Sequence, residues 1–236
     1  WPDAAHRDDR GELVVGGVSA SELRAQFGTP LYVLDEDAVR ARAREVKAAF
    51  DAATARHGIH ARVYYASKAF LSTAVVRWVT GEGLAVDVAT GGELAVALAA
   101  GADPSRLGLH GNNKSVAELE RAVEVGVGSI IIDSEIEIER LAAITAATDA
   151  VQQVLLRVNS GVHAETHDFL ATAHEDQKFG VPLGDAAPLV ARIREIPGLR
   201  FLGLHCHIGS QIFGVDGFRE SAARVLDLHE ELLAGG

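Results

Sequence analysis

From residue 63 onward the chain alternates short, continuously apolar runs with longer stretches in which apolar residues recur every three or four positions. The runs Val63–Ala66, Leu84–Val88, Leu107–His110, Ser129–Ile132, Val154–Val158 and Phe201–His205 predict strands. Between them, Leu71–Val79, Glu93–Ala100, Val116–Val125, Glu135–Thr145 and Ala186–Ile196 predict helices, and a last helical period runs from Asp216 to Leu233. A leading strand is expected at Pro30–Asp35. Strands that are apolar on both faces and alternate with helices predict a parallel sheet covered on both sides, an α/β architecture.

Two closures of such a sheet are possible. An open doubly wound sheet usually carries a glycine-rich phosphate loop after its first strand, and neither GxGxxG nor GxxxxGK occurs here. A (β/α)8 TIM barrel instead places functional side chains after many different strands. Lys68, Asp87, His110, Arg157 and His207 each stand at or just after the C-terminal end of an apolar run. Isolated polar residues closing buried strands would give some of these positions, but five in successive units favour the barrel. Six barrel strands are accounted for by residue 208, so two more are expected beyond residue 236.

Composition narrows the function classes. At 48% hydrophobic with one cysteine, the 236 residues can build a large core without disulfides. There is no 18-residue apolar run and no signal-like start, so a cytoplasmic protein is expected. The net charge of -11 argues against a nucleic acid or an anionic membrane as partner. The first residue is Trp1 and methionine is absent, so the sequence reads as the N-terminal portion of something longer.

A lysine at a strand end can attack a carbonyl when partial shielding from water lowers its proton affinity. Together with an arginine, carboxylates and a histidine on one barrel mouth, it suggests an aldehyde cofactor bearing a ring and a phosphate. Pyridoxal phosphate fits best, with Lys68 as the Schiff-base amine. His207 would cover the ring, Asp87 or Glu93 and Arg157 would fix its polar substituents, and Gly209 and Ser210 would meet the phosphate. No metal is expected: His205 and His207 alternate along a strand, His163 and His167 are four apart, and neither pair shows a third ligand. Cys206 reads as a small buried hydrophobe rather than a nucleophile.

Several segments resemble the diaminopimelate decarboxylase family, particularly its actinobacterial members: YYASKAF (64–70), LAVDVATGGELAVAL (84–98), LHGNNKS (109–115), IIDSEIEIERL (131–141), AHEDQKFG (173–180) and GLHCHIGSQIF (203–213). The resemblance spans nearly the whole chain in family order. It implies an alanine-racemase-type barrel, here about six of eight units in residues 36–236, and a C-terminal β domain beyond the chain end. Residues 1–35 would accompany that β domain. By resemblance, Lys68 is the cofactor-bearing lysine and His207 stacks on the ring. Asp87 and Glu93 match the family's carboxylates, Arg157 approaches the ring hydroxyl, and Ser210 binds phosphate with Gly209 beside it. His110, Asn112 and Lys178 are expected to line or brace the pocket. Phe70 departs from the asparagine more usual two residues after the lysine.

The implied reaction is pyridoxal-phosphate-dependent decarboxylation of meso-2,6-diaminopimelate to L-lysine and CO2, in a homodimer whose active sites are completed across the interface. Two other readings stay open. One is a decarboxylase of ornithine, arginine, lysine or an antibiotic-pathway amino acid. The other is a non-catalytic barrel that binds pyridoxal phosphate.

Overall fold

The computed structural model describes residues 5–162, 179–210 and 212–234. In chain order these form strands β1 (His6–Arg7), β2 (Leu13–Val15) and β3 (Val18–Ser19), then helices α1 (Ala20–Phe27) and α2 (Glu36–Ala55). There follow β4 (Tyr64–Ala66), α3 (Thr73–Gly81), β5 (Ala85–Val88), α4 (Gly91–Ala99), β6 (Leu107–Leu109), α5 (Val116–Val125), β7 (Ser129–Ile132) and α6 (Glu135–Thr148). The chain continues through β8 (Gln152–Asn159), β9 (Val181–Pro182), α7 (Ala186–Glu195), β10 (Leu199–His205) and α8 (Asp216–Ala234).

Two compact units divide these elements: Trp1–Val86 with Val96–Ala102, and Asp87–Ala95 with Asp103–Gly236. In the first unit, β1, β2 and β3 form a small antiparallel sheet. Helix α1 starts in a capping box, where the Ser19 hydroxyl accepts from the Glu22 amide and Glu22 reaches back to the Ser19 amide. Helix α2 is capped by Asp35, which accepts from the Ala38 amide at 3.1 Å. It is tied to the end of α3 by Arg40 and Arg44, both paired with Glu82. Strand β4 lies beside the start of β5, where the Ala85 amide donates to the Val63 carbonyl.

In the second unit β6–β7, β7–β8 and β8–β10 are parallel pairs. Backbone pairing follows sequence order, β4, β5, β6, β7, β8, β10, with short β9 beside β8. A doubly wound sheet reverses its order at a switch point, whereas a barrel adds each strand beside the last. The expected α/β barrel class therefore holds, with six of its strands in these residues. Every residue of β6 and β7 is buried, which is why those runs read as continuously apolar. Along β8 burial alternates: Val154, Leu156 and Val158 face the core, while Arg157 lies on the opposite face.

Helix α5 shows why its ends were legible. Ser115 and Glu118 form a capping box at its start, and Gly126 closes it in the left-handed conformation at φ 74°.

The leading strand expected at Pro30–Asp35 does not form. Residues 31–35 carry no regular structure and the Tyr32 side chain is 94% exposed. Alternation of apolar residues makes a strand only when a neighbouring backbone pairs with it, and none does among the described residues. The expectation that His205, Cys206 and His207 alternate along one strand also needs correction, since β10 stops at His205 and the next two residues belong to the following loop.

Candidate active site

The C-terminal ends of β5, β6, β7, β8 and β10 in the second unit bring polar side chains together. His110 follows β6, and its amide donates to the Val88 carbonyl at 2.7 Å. That pairing sets the His110 Nε2 atom 3.1 Å from Oδ1 of Asp87 on β5. Its ring also meets that of His205 edge-to-face, with centroids 4.8 Å apart. His205 stands opposite Arg157 in the β8–β10 register. Burial, reinforced by the nearby His110, Arg157 and His207, pushes the His205 imidazole down to about 3, so it is neutral near pH 7. Its Nδ1 atom is buried without a partner among the described residues.

Arg157 is held from two sides. Its Nη1 donates to Oδ1 of Asp133 at 3.3 Å, and its guanidinium carbon lies 5.1 Å from the centre of the Phe179 ring. The next residue, Gly180, has φ 74°, and a Cβ there would stand 2.8 Å from the Arg157 carbonyl oxygen. Only glycine lets the chain pass so close.

Behind this group lies a buried ion pair. Lys114 and Glu137 are both at most 2% exposed, with Nζ and Oε2 2.8 Å apart. The ammonium also donates to the carbonyls of Gly111 at 2.6 Å and Ile131 at 2.7 Å, which uses all three of its protons. Burial pushes the Lys114 ammonium below the usual lysine range, opposed by the charge of Glu137.

The residues singled out in the sequence fall into distinct places. Asp87, His110 and Arg157 are brought into one cluster, and Asn112 braces it by donating from Nδ2 to Oδ2 of Asp133 at 2.7 Å. Glu93 is engaged with backbone: its Oε2 accepts from the Ala89 amide at 2.6 Å, and its own amide donates to the Thr90 hydroxyl. It thus fixes the turn from β5 into α4. His207 is exposed on the loop after β10, followed by Gly209 at φ 131° and exposed Ser210. Lys68 belongs to the first unit, on the single 3-10 turn Ser67–Ala69 that follows β4. Its side chain is exposed, so the shielding expected for it is not supplied by the described residues. The turn rolls it past the strand end while the neighbouring Ser67 is buried. Lys178, His163 and His167 lie outside the described residues.

Sequence reading missed His205, Asp133, Lys114 and Glu137 as part of this arrangement. Lys114 and Asp133 sit within quoted motifs, but a lysine after two asparagines reads as a solvated loop until its burial is known. No group of three or more metal-binding side chains occurs among the described residues.

The donor set suits a flat anionic aldehyde. Among the described residues it offers a guanidinium with N–H groups left over, a carboxylate–imidazole pair and a neutral imidazole whose buried nitrogen has no hydrogen bond. A sequence family described as "Pyridoxal-dependent decarboxylase, pyridoxal binding domain" matches residues 36–236. The chain belongs to this family. The cofactor of these pyridoxal-dependent decarboxylases is therefore the one the site must take.

Among relatives, the diaminopimelate decarboxylase of Mycobacterium tuberculosis is 51% identical over 235 residues, covering 99% of this chain and 51% of the relative. That of Corynebacterium efficiens is 45% identical over 98% of this chain and 50% of its own length. The crystal structure of diaminopimelate decarboxylase from M. jannaschii in co-complex with L-lysine superposes with a TM-score of 0.91 at 29% identity, covering all of this chain and 54% of that one. The chain thus spans about half the length of the relatives it matches. No helix among the described residues is long and apolar enough to cross a membrane.

Proposed function

We propose that this sequence is the cofactor-binding part of a diaminopimelate decarboxylase, which removes CO2 from meso-2,6-diaminopimelate and leaves L-lysine. The observation that carries the reading is 51% identity to a diaminopimelate decarboxylase over 99% of the chain. The polar cluster at the ends of β5 to β10 supports it chemically. Bound pyridoxal phosphate supplies an electron sink for the carbon that loses its carboxylate.

The chain's own residues take the remaining tasks. Lys68 is the amine that holds the cofactor's aldehyde. Arg157, fixed by Asp133 and Phe179, presents N–H groups to a polar ring substituent. Asp87 and His110 form a pair that orients a neighbouring donor or acceptor. His205, neutral near pH 7, meets the site without adding charge. His207 covers the ring face, while the Gly209 amide and Ser210 hydroxyl meet the phosphate. Glu93 keeps the Asp87 segment in register through the Ala89 amide.

We assign residues 36–236 to the N-terminal part of the barrel and residues 1–35 to a segment accompanying a β domain. The protein is further proposed to be cytoplasmic and a homodimer that completes its sites across the interface. The deciding experiment supplies the intact protein with pyridoxal phosphate and offers meso-diaminopimelate, L-ornithine, L-arginine and L-lysine separately. CO2 and the amine product are quantified. Turnover of meso-diaminopimelate alone is expected. Turnover of another amino acid instead would keep the cofactor chemistry and remove the substrate. Bound cofactor with no turnover would leave a cofactor-binding barrel.

A further inference from the structure

We propose that Asp133 is a positioning residue for Arg157, and that the buried Lys114–Glu137 pair holds Asp133 in place; this rests on the cofactor-binding reading of Arg157. Asp133 follows β7 directly and is 4% exposed. Each part of it is committed. Oδ2 accepts from Asn112 Nδ2 at 2.7 Å, Oδ1 faces Arg157 Nη1 at 3.3 Å, and the amide donates to Glu137 Oε2 at 3.0 Å. Glu137 is fully buried on the first turn of α6, and its other oxygen accepts from the Lys114 amide at 3.0 Å. Arg140, one turn on, donates to the Lys114 carbonyl at 2.7 Å.

A buried ion pair by itself is as well explained by tying two loops together. The direction of this chain of contacts argues for more. It runs from Lys114 through Glu137 to the Asp133 backbone, and from the Asp133 carboxylate to the guanidinium. Among the described residues Asp133 is the one hydrogen-bond partner of the Arg157 guanidinium, so its plane is set by that carboxylate and the Phe179 ring. A charge-assisted contact fixes the orientation of the fork and, among the described residues, leaves its other N–H groups for a ligand. Neutralising Asp133 would leave Arg157 in place but free to rotate.

The test is a double-mutant cycle on cofactor affinity, read as absorbance of bound pyridoxal phosphate titrated into the intact protein. Asp133→Asn and Arg157→Ala are each expected to raise Kd, by about tenfold, and the double variant to bind no more weakly than Arg157→Ala alone. Independent, multiplying effects would overturn the proposal, as would wild-type affinity in Asp133→Asn. A wild-type protein that takes up no pyridoxal phosphate would overturn the cofactor reading along with it. Glu137→Gln, measured on protein shown to be folded by near-ultraviolet circular dichroism, should shift Kd in the same direction as Asp133→Asn. A destabilised Glu137→Gln that binds cofactor as tightly as wild type would reduce the ion pair to a structural tie and remove it from the proposal.

Discussion

The stretch His110 to Lys114 shows how much one residue's neighbourhood decides. His110 turns to Asp87, and Asn112 to Asp133. Gly111 has φ 106°, and a Cβ there would stand 2.7 Å from the Ala89 carbonyl oxygen. Asn113 takes the left-handed conformation at φ 53°, which asparagine tolerates, and Lys114 goes inward to Glu137. The chemistry of Lys68 is tested most directly by Lys68→Ala. That variant is expected to lose turnover and the absorbance of lysine-bound cofactor, with far-ultraviolet circular dichroism unchanged because the side chain is exposed. Reduction by borohydride that still fixes cofactor to another residue would refute the assignment. His205 carries a pH prediction. Between about pH 3 and 6.5 the unfolded chain binds a proton on this histidine that the folded chain excludes. Stability should therefore fall as pH drops through that window, by up to about 1.4 kcal/mol per pH unit from this group. Denaturant titrations from pH 7 to 4 should show a shallower slope for His205→Asn than for wild type.

At the scale of elements, caps and burial explain which boundaries were legible. The start of α5 was readable because serine, glutamate three residues later and a following apolar period coincide. Strands β6 and β7 were readable because both faces are buried. Helix α2 was overlooked although Val39, Ala43, Val46 and Phe50 recur at helical spacing, because alanine and arginine dilute that stripe and only Ala43 is buried. Glu118 does double duty, accepting from the Ser115 amide through Oε2 and from the Gly91 amide through Oε1. Ser115→Ala is expected to cost about 1 kcal/mol in urea unfolding. Glu118→Ala should cost more, since it releases the first turn of α4 as well. Equal losses would show that the Gly91 contact contributes nothing.

At the scale of the whole molecule, cofactor binding is linked to folding. A ligand held by residues from several strands binds the native state and has no comparable site in the unfolded chain. Pyridoxal phosphate at about a hundred times its Kd should stabilise the intact protein by about 2.7 kcal/mol, seen as a rise in Tm with concentration. Absence of any rise, with cofactor bound, would place it on a surface lysine rather than in the site. By itself the sequence determined the α/β class, the six barrel strands and the strand-end positions of Asp87, His110 and Arg157. Periodicity and burial are local properties, and a strand's polar terminus is visible in one dimension. Tertiary structure alone decided which polar residues meet. Lys114 and Glu137 are 23 positions apart and read as surface charges until burial removes their water, whereas Pro30–Asp35 alternates like a strand and finds no partner. Glu93, read as a cofactor ligand, also accepts from the Ala89 amide through Oε2, a contact four residues away that its own stretch of sequence did not announce. Pairing across the fold depends on what stands opposite, and that information is absent from any single stretch of chain.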